Sequence, residues 1–324
     1  MTLIKKSEGI YIDDSGIDVL NEIDGIIFDC DGVLIDITKS YDQAIIKTAQ
    51  YVLEHFAKIN DAINVNFKII DGFKSTGGFN DEVDLTYAAI ISLVAAKKLE
   101  KDQTSFIFEV IKNADSSGIV SVEKYLKNQV DISDIKKQLS YPGMHHENPL
   151  YQIFDQLFYG SELYYKLFRN PSKFSEAGLI DKDDVILNNL LIEKLQKKFD
   201  SKISIVTGRG KESASYSLKT LLEKFDLKNS VFLEDESREL AKPNPQSLLD
   251  SIKGMNCVST LFVGDSMEDF IMANKATDLG SKTTFCGIIG TRKNPQEKLE
   301  LFQRNGAILV LDSINLLPKV LNLE

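Results

Sequence analysis

Short apolar segments, each closed by Asp, Gly or Thr, punctuate this chain, and about 170 residues separate the first from the second. They read GIIFDCD (25–31), KISIVTG (202–208), SVFLED (230–235), STLFVGD (259–265) and TTFCGIIG (283–290). Their length and β-rich content predict strands buried on both faces. Helical patterns alternate with the later segments. DDVILNNLLIEKLQKKF (183–199) carries Ile186, Leu187, Leu190, Leu191, Leu195 and Phe199 at helical spacing, and SASYSLKTLLEKF (213–225) and PQSLLDSIK (245–253) follow the next two strands. This alternation predicts an α/β fold with a doubly wound parallel sheet. The first interval is too long for an ordinary crossover, so something is inserted there.

The insert reads as mainly helical, from SYDQAIIKTAQYVLEHF (40–56) through NDEVDLTYAAIISLVAAKKLE (80–100), TSFIFEVIKNA (104–114) and IVSVEKYLKN (119–128) to NPLYQIFDQLFYG (148–160). The expected plan is a discontinuous sheet domain, 1–37 and 179–324, interrupted by a helical domain over 38–178. EGIYIDDSGIDVLNEID (8–24) alternates weakly and fits an edge strand or a short helix equally well.

Composition narrows the partners. A net charge of −10 and a pI of about 5.0 argue against a duplex nucleic-acid surface, which needs a basic footprint to replace counterions. The first residues lack an apolar stretch behind their two lysines, and the run AAIISLVAA (88–96) is too short to span a bilayer, so no membrane partner is expected. Cys30, Cys257 and Cys286 make an odd count without zinc spacing, which points to free thiols in a reducing, cytoplasmic compartment.

Four further signals fall in order at or just beyond strand ends: DCDG (29–32), TGR (207–209), KPNP (242–245) and GDSMED (264–269). Ligands of open α/β sheets bind at that carboxyl edge. Taken singly, each has an ordinary reading. An Asp-Gly pair makes turns, an acidic helix start suits the helix dipole, a Thr caps helices, and single Lys and Arg residues are usually solvated.

As an ordered set, the four resemble the haloacid dehalogenase-like hydrolase superfamily, specifically its subfamily I phosphatases with a helical C1 cap inserted after the first strand of a Rossmann-like core. The resemblance runs from Asp24 onward. FKSTGGFND (73–81), NPLYQIFDQLFYG and DSINLLPKVL (312–321) are similar to a branch related to phosphoglycolate phosphatases.

The resemblance implies a Mg²⁺-dependent phosphomonoester hydrolase acting on a small phosphorylated metabolite. Such an ester is anionic and slow to hydrolyse, so its enzyme needs a nucleophile, positive charge and a proton for the leaving group. By resemblance Asp29 is the nucleophile that becomes an aspartyl phosphate, and Asp31 is the general acid and base. Thr207, Gly208 and Lys242 hold the phosphoryl group, with Arg209 a further candidate contact. Two carboxylates facing a dianion call for a cation, and hard oxygen ligands favour Mg²⁺. The implied ligands are the Asp29 carboxylate, the Asp31 carbonyl and Asp265, with Asp269 binding or orienting a metal water.

Asp31 argues against dehalogenases and ion-pumping ATPases, which lack that second acid. A sugar-phosphate mutase would carry the same four motifs. A non-catalytic binding module would be expected to have lost at least one of Asp29, Asp31, Thr207, Lys242 and Asp265, whereas a scaffold with vestigial chemistry would dock a protein partner on its acidic helical insert through exposed apolar side chains. For substrate choice, DGFKSTGGFND (71–81) is the candidate loop: Gly77 and Gly78 permit close approach and Lys74 can meet a carboxylate, while an inter-helix turn explains it equally.

Some signals carry little. VTGRGKE lacks the first Gly and the Ser or Thr of a P-loop, having Ile205 and Glu212 there. Adjacent His145 and His146 in MHHENP lack the spacing of a helical zinc site. The aromatics of YQIFDQLFYGSELYYKLF (151–168) recur at helical spacing and suit a core.

Overall fold

The computed structural model describes residues 3–79, 81–143, 147–291 and 294–323. Its strands are β1 (Ile4–Ser7), β2 (Ile10–Ile12), β3 (Gly25–Phe28), β4 (Ile35–Asp36), β5 (Asp184–Val185), β6 (Ile203–Thr207), β7 (Val231–Phe232), β8 (Ser259–Gly264), β9 (Lys282–Ile288) and β10 (Leu309–Leu311). Eight form one sheet, in the order β1-β2-β10-β9-β8-β3-β6-β7. The six strands from β10 to β7 run parallel, and β2 and β1 add an antiparallel edge. β3 lies in the middle with Ile26, Ile27 and Phe28 fully buried, which is why it reads as a continuous apolar run.

The described chain divides into two compact units, one from the N-terminal residues to Thr38 together with Asp183 onward, the other from Lys39 to Lys182. The first contains the sheet. Its N-terminal segment supplies both a hairpin and a helix, Asp14–Asn21. β2 docks on β10, leaving the wholly exposed β1, with Lys5 and Lys6, as the edge. Lysines on an edge strand discourage pairing with another chain.

The helix expected over 183–199 starts later, at Asn189. Asn188 caps it by accepting from the Leu191 N–H. Upstream, β5 pairs antiparallel with β4, and the Ile186 and Leu187 N–H groups donate to the Leu34 carbonyl. Val185 and Ile186 are β-branched, and tertiary pairing takes them out of the helix.

The second unit is helical: Tyr41–His55, Phe67–Ser75, Glu82–Lys98, Gln103–Asn113, Ile119–Lys127, Ser133–Leu139 and Pro149–Phe168. Glu82–Lys98 is its centre, buried without interruption from Leu85 to Ala96, as an all-round apolar helix must be. Asp81 caps it through the Val83 and Asp84 N–H groups. Tyr151, Phe154, Phe158, Tyr159 and Tyr164 are buried in this core. Among the described residues no helix is long and apolar enough to cross a membrane.

Candidate active site

The register of three neighbouring parallel strands assembles the site. Phe28 of β3 lies level with Ile205 of β6 and Val263 of β8, so the residues just beyond these strands share one edge of the sheet. Asp29 emerges from β3, Thr207 ends β6, and Asp265 follows β8. Asp29, Thr207 and Asp265 are all buried.

The loop after β3 is wound tightly on the Cys30 carbonyl, which accepts from the N–H groups of Val33, Leu34 and Ile35. Gly32 turns the chain with φ +74°, and a methyl group there would lie 2.5 Å from the Asp265 carboxylate. Only glycine permits both the backbone angle and that approach.

Lys242 links the carboxylates. Its ammonium lies 2.9 Å from Asp29 Oδ1 and 2.6 Å from Asp269 Oδ1. Burial works against that charge, but Asp269 and Asp29 outweigh it and hold Lys242 protonated well above its usual range. Asp29 is pushed up to about 7, chiefly by burial, with Lys242 opposing and the Asp269 and Asp265 charges adding. Asp269 has a second task. Its Oδ2 accepts from the Asp265 N–H, the Ser266 N–H and the Ser266 hydroxyl, while Ser266 Oγ accepts from the Asp269 N–H. This reciprocal cap opens the helix Met267–Asp278 and fixes the carboxylate that grips Lys242.

Asp29, Asp265 and Asp269 each offer an oxygen within 4.8 Å of the others. The donor set is anionic, buried and all oxygen, which matches a hard divalent cation.

Arg209 is placed differently from the phosphate-contact role considered for it. Its side chain is fully buried, with Nε 2.8 Å from Asp31 Oδ1 and Nη1 2.8 Å from Asp183 Oδ2. Ser217 accepts from the same Nη1 and donates to Asp183. The guanidinium therefore holds Asp31 from behind. The Arg209 N–H donates to Thr207 Oγ1 at 3.2 Å, which fixes the threonine rotamer, while Gly208 is exposed at the tip of the turn.

Lys74 is remote from a loop tip. It sits in the last turn of helix Phe67–Ser75 with its ammonium 3.1 Å from Glu82 Oε1, both side chains largely buried. Gly78 packs against Gly118, where a methyl group would meet the Gly118 N at 2.5 Å. The segment 71–81 thus serves as a helix end and inter-helix connection inside the helical unit. His145 and His146 lie outside the described residues.

Sequence reasoning missed Asp183, Ser217, Thr291 and Lys298. Thr291 Oγ1 donates to the Gly32 carbonyl at 3.0 Å, and Lys298 lies 2.8 Å from Asp265 Oδ2. None of the four belongs to a motif: Asp183, Thr291 and Lys298 are brought in by remote segments, and Ser217 lies two turns along the helix that follows Arg209.

No protein-family model and no curated protein matches the sequence. Solved structures do. Phosphatase Tt82 from Thermococcus thioreducens is 23% identical with a TM-score of 0.56, covering 87% of this chain and 99% of its own. A protein described as a haloacid dehalogenase-like hydrolase from Bacteroides fragilis is 16% identical with a TM-score of 0.50, covering 91% and 99%. The chain has the haloacid dehalogenase-like fold, an α/β sheet with a helical insert. A protein described as a phosphoglycolate phosphatase, from Lactobacillus plantarum, is 12% identical at a TM-score of 0.46, too distant to bear on substrate.

Proposed function

We propose that this protein is a Mg²⁺-dependent phosphatase that hydrolyses a small phosphorylated metabolite through an aspartyl phosphate on Asp29. One observation carries the reading: Lys242 bridges Asp29 and Asp269 at 2.9 and 2.6 Å, on the sheet edge that also presents Asp265. A nucleophilic carboxylate beside a fixed ammonium and an oxygen-ligand cluster suits phosphoryl transfer. The neighbour named a phosphatase supports it.

Asp29, the Asp31 carbonyl and Asp265 would hold the ion. Bound there, Mg²⁺ supplies positive charge against the phosphoryl oxygens and favours the ionised form of Asp29. A carboxylate oxygen of Asp29 attacks phosphorus, the bond to the ester oxygen breaks, and Asp31 delivers a proton to that leaving oxygen. A water then attacks the phosphorus, Asp31 takes its proton, and the bond to Asp29 breaks to release phosphate. Lys242, Thr207 and the Gly208 N–H would hold the transferring oxygens. Asp269 acts through Lys242 and the helix cap. Arg209 positions Asp31, and Lys74, paired with Glu82, is assigned to the helical unit. Cys30, Cys257 and Cys286 are free thiols, consistent with a reducing, cytoplasmic setting.

The test is phosphate release from a panel containing phosphoglycolate, sugar phosphates and an aryl phosphate, with Mg²⁺ or EDTA. Asp29→Asn is expected to lose at least about a thousandfold in turnover, as removal of a nucleophile does. Retained turnover in the variant, or turnover unaffected by EDTA, contradicts the reading.

A further inference from the structure

Asp29, Asp265 and Asp269 crowd three carboxylates together, and Lys242 serves two of them. The third has a lysine from elsewhere. Lys298, in the helix Pro295–Arg304 that follows β9, places its ammonium 2.8 Å from Asp265 Oδ2, with the two side chains 13% and 6% exposed. That ammonium lies 5.8 Å from the Phe302 ring centroid, so the lysine is seated over its own helix. The connection before the helix also touches the loop after β3, through Thr291 and the Gly32 carbonyl.

The choice of oxygen matters. A methyl group at Gly32 would lie 2.5 Å from Asp265 Oδ2 and 3.1 Å from Oδ1, so Oδ2 is the oxygen nearer the loop that carries Asp29 and Asp31. A partner that only orients a metal ligand leaves the metal-facing lone pairs open. Lys298 instead occupies the Asp265 oxygen nearer Gly32, on the loop that carries Asp29 and Asp31. An ammonium and a divalent cation repel strongly at the separation that sharing this oxygen would impose.

We propose that Lys298 is a resident counter-cation of the metal site: it holds Asp265 Oδ2 when no divalent ion is bound and must release that oxygen for the ion to load. It therefore weakens metal affinity while stabilising the metal-free acidic cluster. This rests on the metal assignment made above and not on the hydrolytic one.

The experiment is calorimetric titration of MgCl₂ into EDTA-stripped, dialysed full-length protein, beside thermal unfolding with and without Mg²⁺. Lys298→Met should bind Mg²⁺ about tenfold more tightly or better, the direction and order expected when a like charge is removed from beside the ion. Its metal-free Tm should fall, so that Mg²⁺ raises its Tm by more than in wild type, whereas Lys298→Arg should keep the weaker affinity. Unchanged or weaker binding by Lys298→Met, or no Mg²⁺ binding by any form, overturns the proposal. Should Lys298→Met fail to fold, wild type with ¹³C-dimethylated lysines still decides. The Lys298 signal, identified by its absence in Lys298→Arg, should move toward the position of solvent-exposed lysines when Mg²⁺ is added, and a signal that stays in place overturns the idea. Phosphate release measured on the same samples separates the two readings, because tighter binding without turnover removes the phosphatase and leaves the counter-cation.

Discussion

Asp29 meets opposing demands from burial and from charge. Its folded carboxyl is held up to about 7, against about 3.9 for an unfolded aspartate. Between those values the folded chain binds a proton that the unfolded chain has lost, so the stability contributed by Asp29 is complete below about pH 4 and disappears as pH rises to 7. Urea unfolding of the metal-free protein should therefore lose stability relative to Asp29→Asn as pH rises from about 4 to 7, and a constant difference between the two contradicts the assignment. Arg209 poses a different problem. Arg209 lies buried between Asp31, which is partly exposed, and the buried Asp183 carboxylate, so Arg209→Met strands Asp183, and we expect a loss of about 3 kcal/mol in the denaturant midpoint analysis. The TGR motif announced an arginine beside the site. Nothing local could tell that its head would turn inward, because Asp183 approaches from 26 residues upstream.

The helix Met267–Asp278 shows how one local pattern serves both fold and site. Ser266 followed three residues later by an acid is a capping pattern, and the structure builds both of its hydrogen bonds. Ser266→Ala should cost about 1 kcal/mol, with an unchanged denaturant m value, and should also loosen the hold of Asp269 on Lys242. The strands β3, β6, β7, β8 and β9 were legible because strands buried on both faces must be continuously apolar. β10 and the hairpin β1–β2 were not, since three- and four-residue strands carry too little periodicity to distinguish from loops. The helix predicted from Asp183 failed at its first turn for a physical reason. A register between β4 and β5, set by residues about 150 positions apart, outweighed an amphipathic pattern that continued through it.

Two compact units within one chain imply two cores. The helical unit from Lys39 to Lys182 has a core of its own around Glu82–Lys98. Expressed alone, residues 39–182 should fold with a helical circular dichroism spectrum and a cooperative thermal transition. A non-cooperative melt would mean that this core needs the rest of the chain. The sequence by itself determined the parallel sheet, the presence of a large helical insert, and the ordered acids, threonine and lysine at strand ends, because periodicity and turn chemistry act over a few residues and leave local traces. Only the tertiary structure decided which cation meets which carboxylate. Lys242 reaches two acids, Arg209 faces Asp31 and Asp183, and Lys298 takes Asp265, pairings that arise when strands distant in sequence become neighbours and buried charges must find counterions wherever the packing offers them.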